Sequence, residues 1–250
     1  MAGLNIIGST QPLRQAIWPK GFNGEVMLLL HETWCSFVMH QDVRLENNIT
    51  ALFRNALIKA YNDAGRIWFV ALEDPILDLN YGWQTGRNDM NFYPTTNYGQ
   101  TVFFTVECKR LNAQTESGFK HLADHYATKG VQRFVDSAYS AGLPCGGMVG
   151  YVMNDQVSDA FERVKEEISS RRSELKIATA EVWLIPSTVL PNCEFSADSI
   201  HNRVDGEFTL HHILVKTSRQ LIPISRNRQR TGSSKDKLKG KKRKADDSVQ

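Results

Sequence analysis

The sequence predicts an α/β domain, a mixed central β-sheet flanked by helices, followed by a disordered basic tail. Three observations carry this expectation. Segments of helical period alternate with short apolar or alternating runs of strand type between Arg44 and Thr217. Hydrophobic residues make up 41% of the 250, enough for a core that needs no disulfide or metal staple. From Arg226 onward ten Lys/Arg stand against three Asp with almost no apolar side chain, a composition that cannot bury a core. The expected organisation is an irregular N-terminal extension (1–43), one folded domain (44–225) and the tail (226–250).

The elements follow in order. Pro12 and Pro19 punctuate the extension around short apolar runs. Over 45–62, Ile49, Leu52, Phe53, Leu57, Ile58 and Tyr61 form a helical stripe, ended by Asp63-Ala64-Gly65. Strands are expected over 67–72 and 89–93, the second stopped by Pro94, and over 101–110, the clearest in the chain. A helix is expected over 118–141 in two pieces broken at Gly130, with Val131, Phe134, Val135 and Ala138 as its apolar face. A strand over 148–153, a charged amphipathic helix over 158–175, and strands over 181–185 and 208–216 complete the reading.

Composition also excludes function classes. No apolar run approaches the roughly 18 residues of a membrane span, and Met1 to Thr10 lack the basic start and apolar stretch of a secretory signal. Cys35, Cys108, Cys145 and Cys193 are scattered without a CxxC pair, which argues against a disulfide framework or zinc ribbon and for a reducing cytoplasm. The net charge of +3 conceals an asymmetry: the tail carries +7, leaving 20 basic and 24 acidic residues, −4, before it.

The chemistry concentrates on the strand over 101–110. Side chains alternate along a strand, so Val102, Phe104, Val106 and Cys108 share the core face. Phe103, Thr105, Glu107 and Lys109 share the other. A strand apolar on both faces is central and buried, and a buried charge needs a partner. Asp89 begins the preceding strand, and a turn through Pro94 to Gln100 can bring it alongside. Two carboxylates and the Cys108 carbonyl would then converge as oxygen ligands for a hard cation such as Mg²⁺ or Mn²⁺, with the Lys109 ammonium beside them to orient or polarise a water.

Asp89 on one strand, Glu107-x-Lys109 on the next and a helix after them resemble the signature of the PD-(D/E)XK nuclease superfamily, whose restriction-endonuclease-like core runs αβββαβ. The resemblance covers roughly 46–153. It implies a metal-dependent nuclease in which Asp89, Glu107 and Lys109 are catalytic, and Asp89, Glu107 and the Cys108 carbonyl hold Mg²⁺ or Mn²⁺. Glu46, at the start of the preceding helix, matches the family's auxiliary metal ligand. The implied partner is nucleic acid, DNA favoured, with a homodimer or a partner subunit left open and a bacterial restriction or anti-phage role by analogy. The sequence departs from the family in Asn88, where a Pro often precedes the Asp, and in Gln132, followed four residues later by Asp136 rather than Tyr.

Lys129 and Arg133, on the helix after the site, are candidates to grip a phosphate backbone, with a solvated helix face as the alternative; Lys120 is no stronger. Lys241, Lys242, Arg243 and Lys244 in the tail can bind nucleic acid without sequence preference, as a tether. His121 and His125 lack HExxH and a third ligand, and His211-His212 should point to opposite faces of a strand as structural residues. The segment 142–147 leads from helix into strand without a GKS/GKT ending and reads as a turn, and Cys108 faces the core with no His beside it. Two competing functions stay open. One is a catalytically inactive member of the same fold, acting as a nucleic-acid-binding or assembly subunit. The other is a protein-interaction domain whose tail does the binding.

Overall fold

Helices lie on both faces of one mixed sheet, in a computed structural model that describes residues 17–40, 43–64, 68–72, 75–77, 84–94, 102–178, 184–217 and 221–222. The first element is helix α1 (Phe22–Ser36). Gly21 precedes it at φ 77°, a left-handed conformation that glycine adopts without penalty. Strand β1 (Met39–His40) and helix α2 (Glu46–Ala64) follow. Next come β2 (Trp68–Leu72), the pair β3 (Pro75–Leu77) and β4 (Gln84–Arg87), β5 (Met90–Pro94) and β6 (Phe104–Leu111). A tight hairpin of β7 (Ala113–Thr115) and β8 (Gly118–Lys120) leads into helix α3 (123–135). The chain continues through β9 (Cys145–Val152), helix α4 (Val157–Ser170), β10 (Ile185–Pro186), β11 (Ser196–Arg203), β12 (Gly206–Lys216) and β13 (Leu221–Ile222).

The sheet order is β10-β11-β12-β9-β6-β5-β2, six strands apart from the two-residue β10. β9 runs parallel to both β6 and β12, and every other pairing in this sheet is antiparallel. All eight residues of β9 are buried, as a strand covered on both faces must be. One face packs Cys108, Val149, Tyr151, Ile213 and Val215 against α1 and α2. The other packs Met148, Val152, Leu210 and Leu214 against α3 and α4.

Several sequence expectations need correction. The stretch expected to be irregular contains α1, whose Phe22, Val26, Met27, Leu29, Leu30 and Trp34 are core residues. Trp34 stacks on Tyr151 with centroids 5.1 Å apart and donates from Nε1 to the Lys216 carbonyl at 3.1 Å. The helix expected over 118–141 is shorter at both ends. Residues 118–120 pair as a strand and 136–142 turn, so Ala138 is exposed rather than core. Gly130 does not break the helix, because Ala127–Val131 is wound as a π-helical turn within it. The charged helix ends at Ser170, and turns occupy 171–176. β11 is a strand the sequence reading omits. Residues 181–183, expected in a strand, and the tail 226–250 lie outside the described residues. Among the described residues no helix is long and apolar enough to cross a membrane.

Candidate active site

The alternation along β6 places Cys108 in the core beneath α1 and α2 and turns Glu107 and Lys109 toward α3. Glu107 is 1% exposed. The antiparallel register of Met90 with Val106 sets Asp89, just before β5, beside this end of β6, and its Oδ2 accepts the Cys108 N–H at 2.7 Å. Glu46, in the first turn of α2, accepts the Arg110 N–H on Oε2 at 2.8 Å. It therefore ties the helix to the strand rather than capping its own helix.

The Lys109 ammonium is the hub. Its Nζ lies 2.7 Å from Glu107 Oε1, and it donates to the Cys108 carbonyl at 2.9 Å and to Glu46 Oε1 at 3.1 Å. These three oxygens belong to the set that the sequence assigned to a metal, so a protein cation sits among the ligands proposed for Mg²⁺. Arg133 approaches Glu107 Oε1 from the other side at 3.2 Å and donates also to the Tyr139 hydroxyl. Glu107 Oε2 is buried with no hydrogen-bond partner. An orphaned carboxylate oxygen in so dry a place calls for a proton or a cation. Burial, reinforced by Asp89, pushes the Glu107 carboxyl up to about 7 against the pull of Lys109 and Arg133. Burial also raises Asp89, with Lys109 and the Cys108 N–H opposing. Lys109 is held protonated: burial works against its charge, and Glu107, Glu46 and Asp89 outweigh it. Among the described residues no group of three His, Cys, Asp or Glu side chains is disposed to hold a metal as it stands.

Helix α3 crosses this site closely because of Gly130. A Cβ there would meet Met148 Cε at 2.5 Å and come within 3.5 Å of Lys109 Cγ, so glycine lets the π-wound turn settle over β6 and β9 without displacing the Met148 methyl. One turn on, α3 delivers Arg133. Its partner Tyr139 is fixed from behind by Arg203, a buried guanidinium that donates to the carbonyls of Phe134, Tyr139, Ser140 and Leu143 and pairs with Asp205. Arg203 thus caps the end of α3 and holds the turn that positions Arg133.

The site opens into a cleft of about 800 Å³. Arg44, Lys109, Arg110, Lys120, Lys129 and Arg133 line it, against the carboxylates Glu46 and Glu116. The candidates Lys129 and Arg133 are thereby brought together with the catalytic candidates. Lys241, Lys242, Arg243 and Lys244 lie outside the described residues.

No family model, curated protein or solved structure matches the chain.

The weaker sequence candidates fall away on geometry. His121 bonds Asn112 Oδ1 at 3.0 Å and His125 is exposed, so no paired metal site forms. Gly142 to Gly147 passes from a turn into β9, as expected of a connection. His211 and His212 do point to opposite faces, His211 to Asp198 at 2.8 Å and His212 to Tyr126 at 2.9 Å. Sequence reasoning missed Arg44, Arg110 and Tyr139 in and around the cleft. Arg110 had a readable signal, since it directly follows Lys109 near the end of the strand. Arg44 and Tyr139 come from loops and carried none.

Proposed function

We propose that this protein is a metal-dependent nuclease that hydrolyses phosphodiester bonds in nucleic acid, DNA favoured, on a restriction-endonuclease-like core. The observation that carries the reading is the convergence of Asp89, Glu107, Lys109 and Glu46 at one end of β6, at the floor of a basic cleft. With the two-stranded pairs β3–β4 and β7–β8 set aside as insertions outside the main sheet, the order α2-β2-β5-β6-α3-β9 supports it by supplying αβββαβ. Glu107, Asp89, the Cys108 carbonyl and Glu46 are the oxygens that would hold Mg²⁺ or Mn²⁺, and the unpartnered Glu107 Oε2 is consistent with such a ligand. The metal, when bound, supplies Lewis-acid stabilisation of the phosphoryl group and a more acidic water.

The chain's own residues do the rest. Lys109, protonated at neutral pH, would release one of the three oxygens it holds and donate that hydrogen bond to a phosphate oxygen where negative charge builds up. Arg133 leaves part of its guanidinium toward the cleft and can hold the same phosphate, while Lys129 and Lys120 face the flanking backbone. Asp89 anchors the Glu107–Cys108 peptide through the Cys108 N–H, and the Cys108 carbonyl, in the next peptide, is held by Lys109.

A second reading has its own support. Lys109 and Arg133 already neutralise Glu107, an arrangement equally suited to an inactive member of the fold that only binds nucleic acid. The deciding experiment compares wild type and Lys109→Ala on supercoiled plasmid and single-stranded DNA with Mg²⁺, Mn²⁺ or EDTA. Metal-dependent cleavage by wild type, lost in the variant, is expected. Binding that ignores metal, with no cleavage and no effect of the variant, would leave the binding subunit as the function.

A further inference from the structure

A second, smaller cavity borders the basic cleft, and phosphodiester chemistry alone gives it no task. It encloses about 230 Å³. That is below the roughly 300–1,000 Å³ of sites that take whole small molecules, and suits one ring system. Arg110 and Gln114 line both the cavity and the cleft, so the two spaces share a wall. The cavity thus lies one residue along β6 from the ammonium of Lys109.

Its lining is of two kinds. Met153 and the ring of Phe119 are apolar, while Asn112, Asn154, Gln114 and Arg110 present polar edges. Phe119 is 49% exposed on the short β7–β8 hairpin, and its ring forms part of the cavity wall. The ring stands perpendicular to His121 with centroids 5.1 Å apart. His121 is itself fixed by Asn112 Oδ1, and the hairpin base is closed by the Asn112 N–H on the His121 carbonyl at 2.9 Å. The Asn112 amide also reaches Asn154 Oδ1 at 3.3 Å. Phe119 is therefore braced from behind. Arg110 is anchored through Nη1 on the Arg44 carbonyl at 2.8 Å, yet its Nε is buried without a partner. A guanidinium held at one end beside a braced aromatic ring is a fitting for a flat ring with acceptors on its edge.

Resting on the nuclease reading, we propose that this cavity takes one unpaired nucleobase, that of a nucleotide next to the phosphate held at Lys109. Phe119 stacks on the base, and Arg110 and Gln114 meet acceptors on its edge. A base inside an intact duplex has both its faces and its pairing edge occupied. The substrate class is therefore single-stranded nucleic acid, or a duplex that presents an everted base beside the scissile linkage.

The test uses the full chain in EDTA, so that nothing is cleaved, with a fluorescein-labelled single strand and the matching perfect duplex. Phe119→Ala should weaken single-strand binding by about 5- to 150-fold, the range that loss of one stacked base produces. Duplex binding should stay within about twofold, and Phe119→Trp should restore the single-strand affinity. A 2-aminopurine moved along the strand should change emission at one position in wild type and lose that change in Phe119→Ala. Equal single-strand affinities of Phe119→Ala and wild type, or a parallel loss on the duplex, overturn the proposal. If Lys109-dependent cleavage persists in that case, the nuclease reading stands without the base pocket. Failure of wild type to bind either nucleic acid overturns both.

Discussion

Replacing Lys109 by Met tests whether the ammonium is the counter-ion that makes the buried carboxylates tolerable. The change keeps most of the side chain's volume and removes its charge. Breaking a buried pair by deleting one partner costs about 3–5 kcal/mol when the other charge is stranded. Here a proton limits the damage. A Glu107 carboxyl that folds neutral at pH 8 costs about 5 kcal/mol relative to its ordinary value, against about 3 kcal/mol with its folded value near 7. The loss through Glu107 is therefore about 1–2 kcal/mol. The hydrogen bonds to the Cys108 carbonyl and Glu46 add about 1 kcal/mol each. The total, about 3 kcal/mol at pH 8, corresponds to a fall in Tm of about 6–12 °C for a chain of this size.

The pH dependence gives the sign. Glu107 has a folded pKa raised above its unfolded one, so its contribution is full below about 4.5 and is lost as pH rises through about 7. At pH 5 the carboxyl is neutral in both proteins, and only the hydrogen-bond part of the deficit should remain. A divalent cation can take over the oxygens that the ammonium vacates. Mn²⁺ at 100 times its dissociation constant would return about 2.7 kcal/mol to the variant, and less to wild type, where Lys109 competes for the same oxygens. Urea unfolding at pH 5 and pH 8, with EDTA or Mn²⁺, reads all four quantities. A deficit equal at both pH values and unmoved by Mn²⁺ would refute the reasoning, because Lys109 would then not be standing in for a cation.

Three further perturbations probe the scaffold. Tyr126, His212, Ser199 and His201 form a buried one-way chain ending on the Leu175 carbonyl, every link 2.7–2.9 Å long; Ser199→Ala, which strands two imidazole nitrogens, should cost about 2–4 kcal/mol in urea unfolding, and an unchanged midpoint would dissolve the chain. Burial holds His212 down at about 3 and His201 at about 4, so both fold neutral and stability should fall as pH drops below 6.5 by about 1.4 kcal/mol per unit for each. Glu107 and Asp89, both raised by burial, work in the opposite direction, so the fall is shallower than two histidines alone would give, and stability that rises from pH 6 to 4.5 would contradict it. Trp34→Ala should destabilise by about 3–5 kcal/mol, since the indole fills the space between Tyr151 and Phe53; a change below 1 kcal/mol would return α1 to the status of an appendage.

What the sequence revealed, and what it hid, follows one physical rule. The β6 strand was readable because its core face is a run of apolar residues, so the alternation isolates Glu107 and Lys109 without any structure. α2 was readable for the same reason, with Ile49, Phe53 and Leu57 repeating at four residues. α1 was harder to see: its buried Phe22, Val26, Leu29, Leu30, Thr33 and Trp34 share one face at helical spacing, but the exposed apolar Leu28 and Cys35 on the opposite face blur the stripe. β11 was hidden by the opposite device. Its Ser196, Asp198, Ser199, His201 and Arg203 are all buried, yet hydropathy sees a polar loop. Each of these side chains is satisfied by a specific hydrogen bond, such as Asp198 on His211 or Arg203 on the carbonyls after α3. Patterning registers partition from water, not pairing inside the protein. The basic cleft was invisible for a third reason: its cations come from positions 44 to 133, and the sum over 1–225 is negative.

The two polar networks explain why the candidate site can be rigid although its charges oppose burial. At the β11–β12 edge the faces are pinned separately. Asp198 and His211 reach Asn23 of α1 at 2.9 Å on one face, and His212 and Ser199 hold Tyr126 of α3 on the other. Burial would raise Asp198, but the bonds from His211 and Thr188 keep it low, so the carboxylate stays charged and the hydrogen bonds it accepts are strong. The α3 helix is thus fixed near its start by Tyr126 and at its end by Arg203. Between these anchors lies the π-wound turn over Gly130, the part of the helix that faces Lys109. Strain at the carboxylates cannot be relieved by lifting α3 away without breaking an anchor. The remaining outlets are a proton on Glu107, the Lys109 ammonium or an external cation. On the proposed reading, that restriction predicts that Mn²⁺ acts through a gain in stability rather than through a movement of α3.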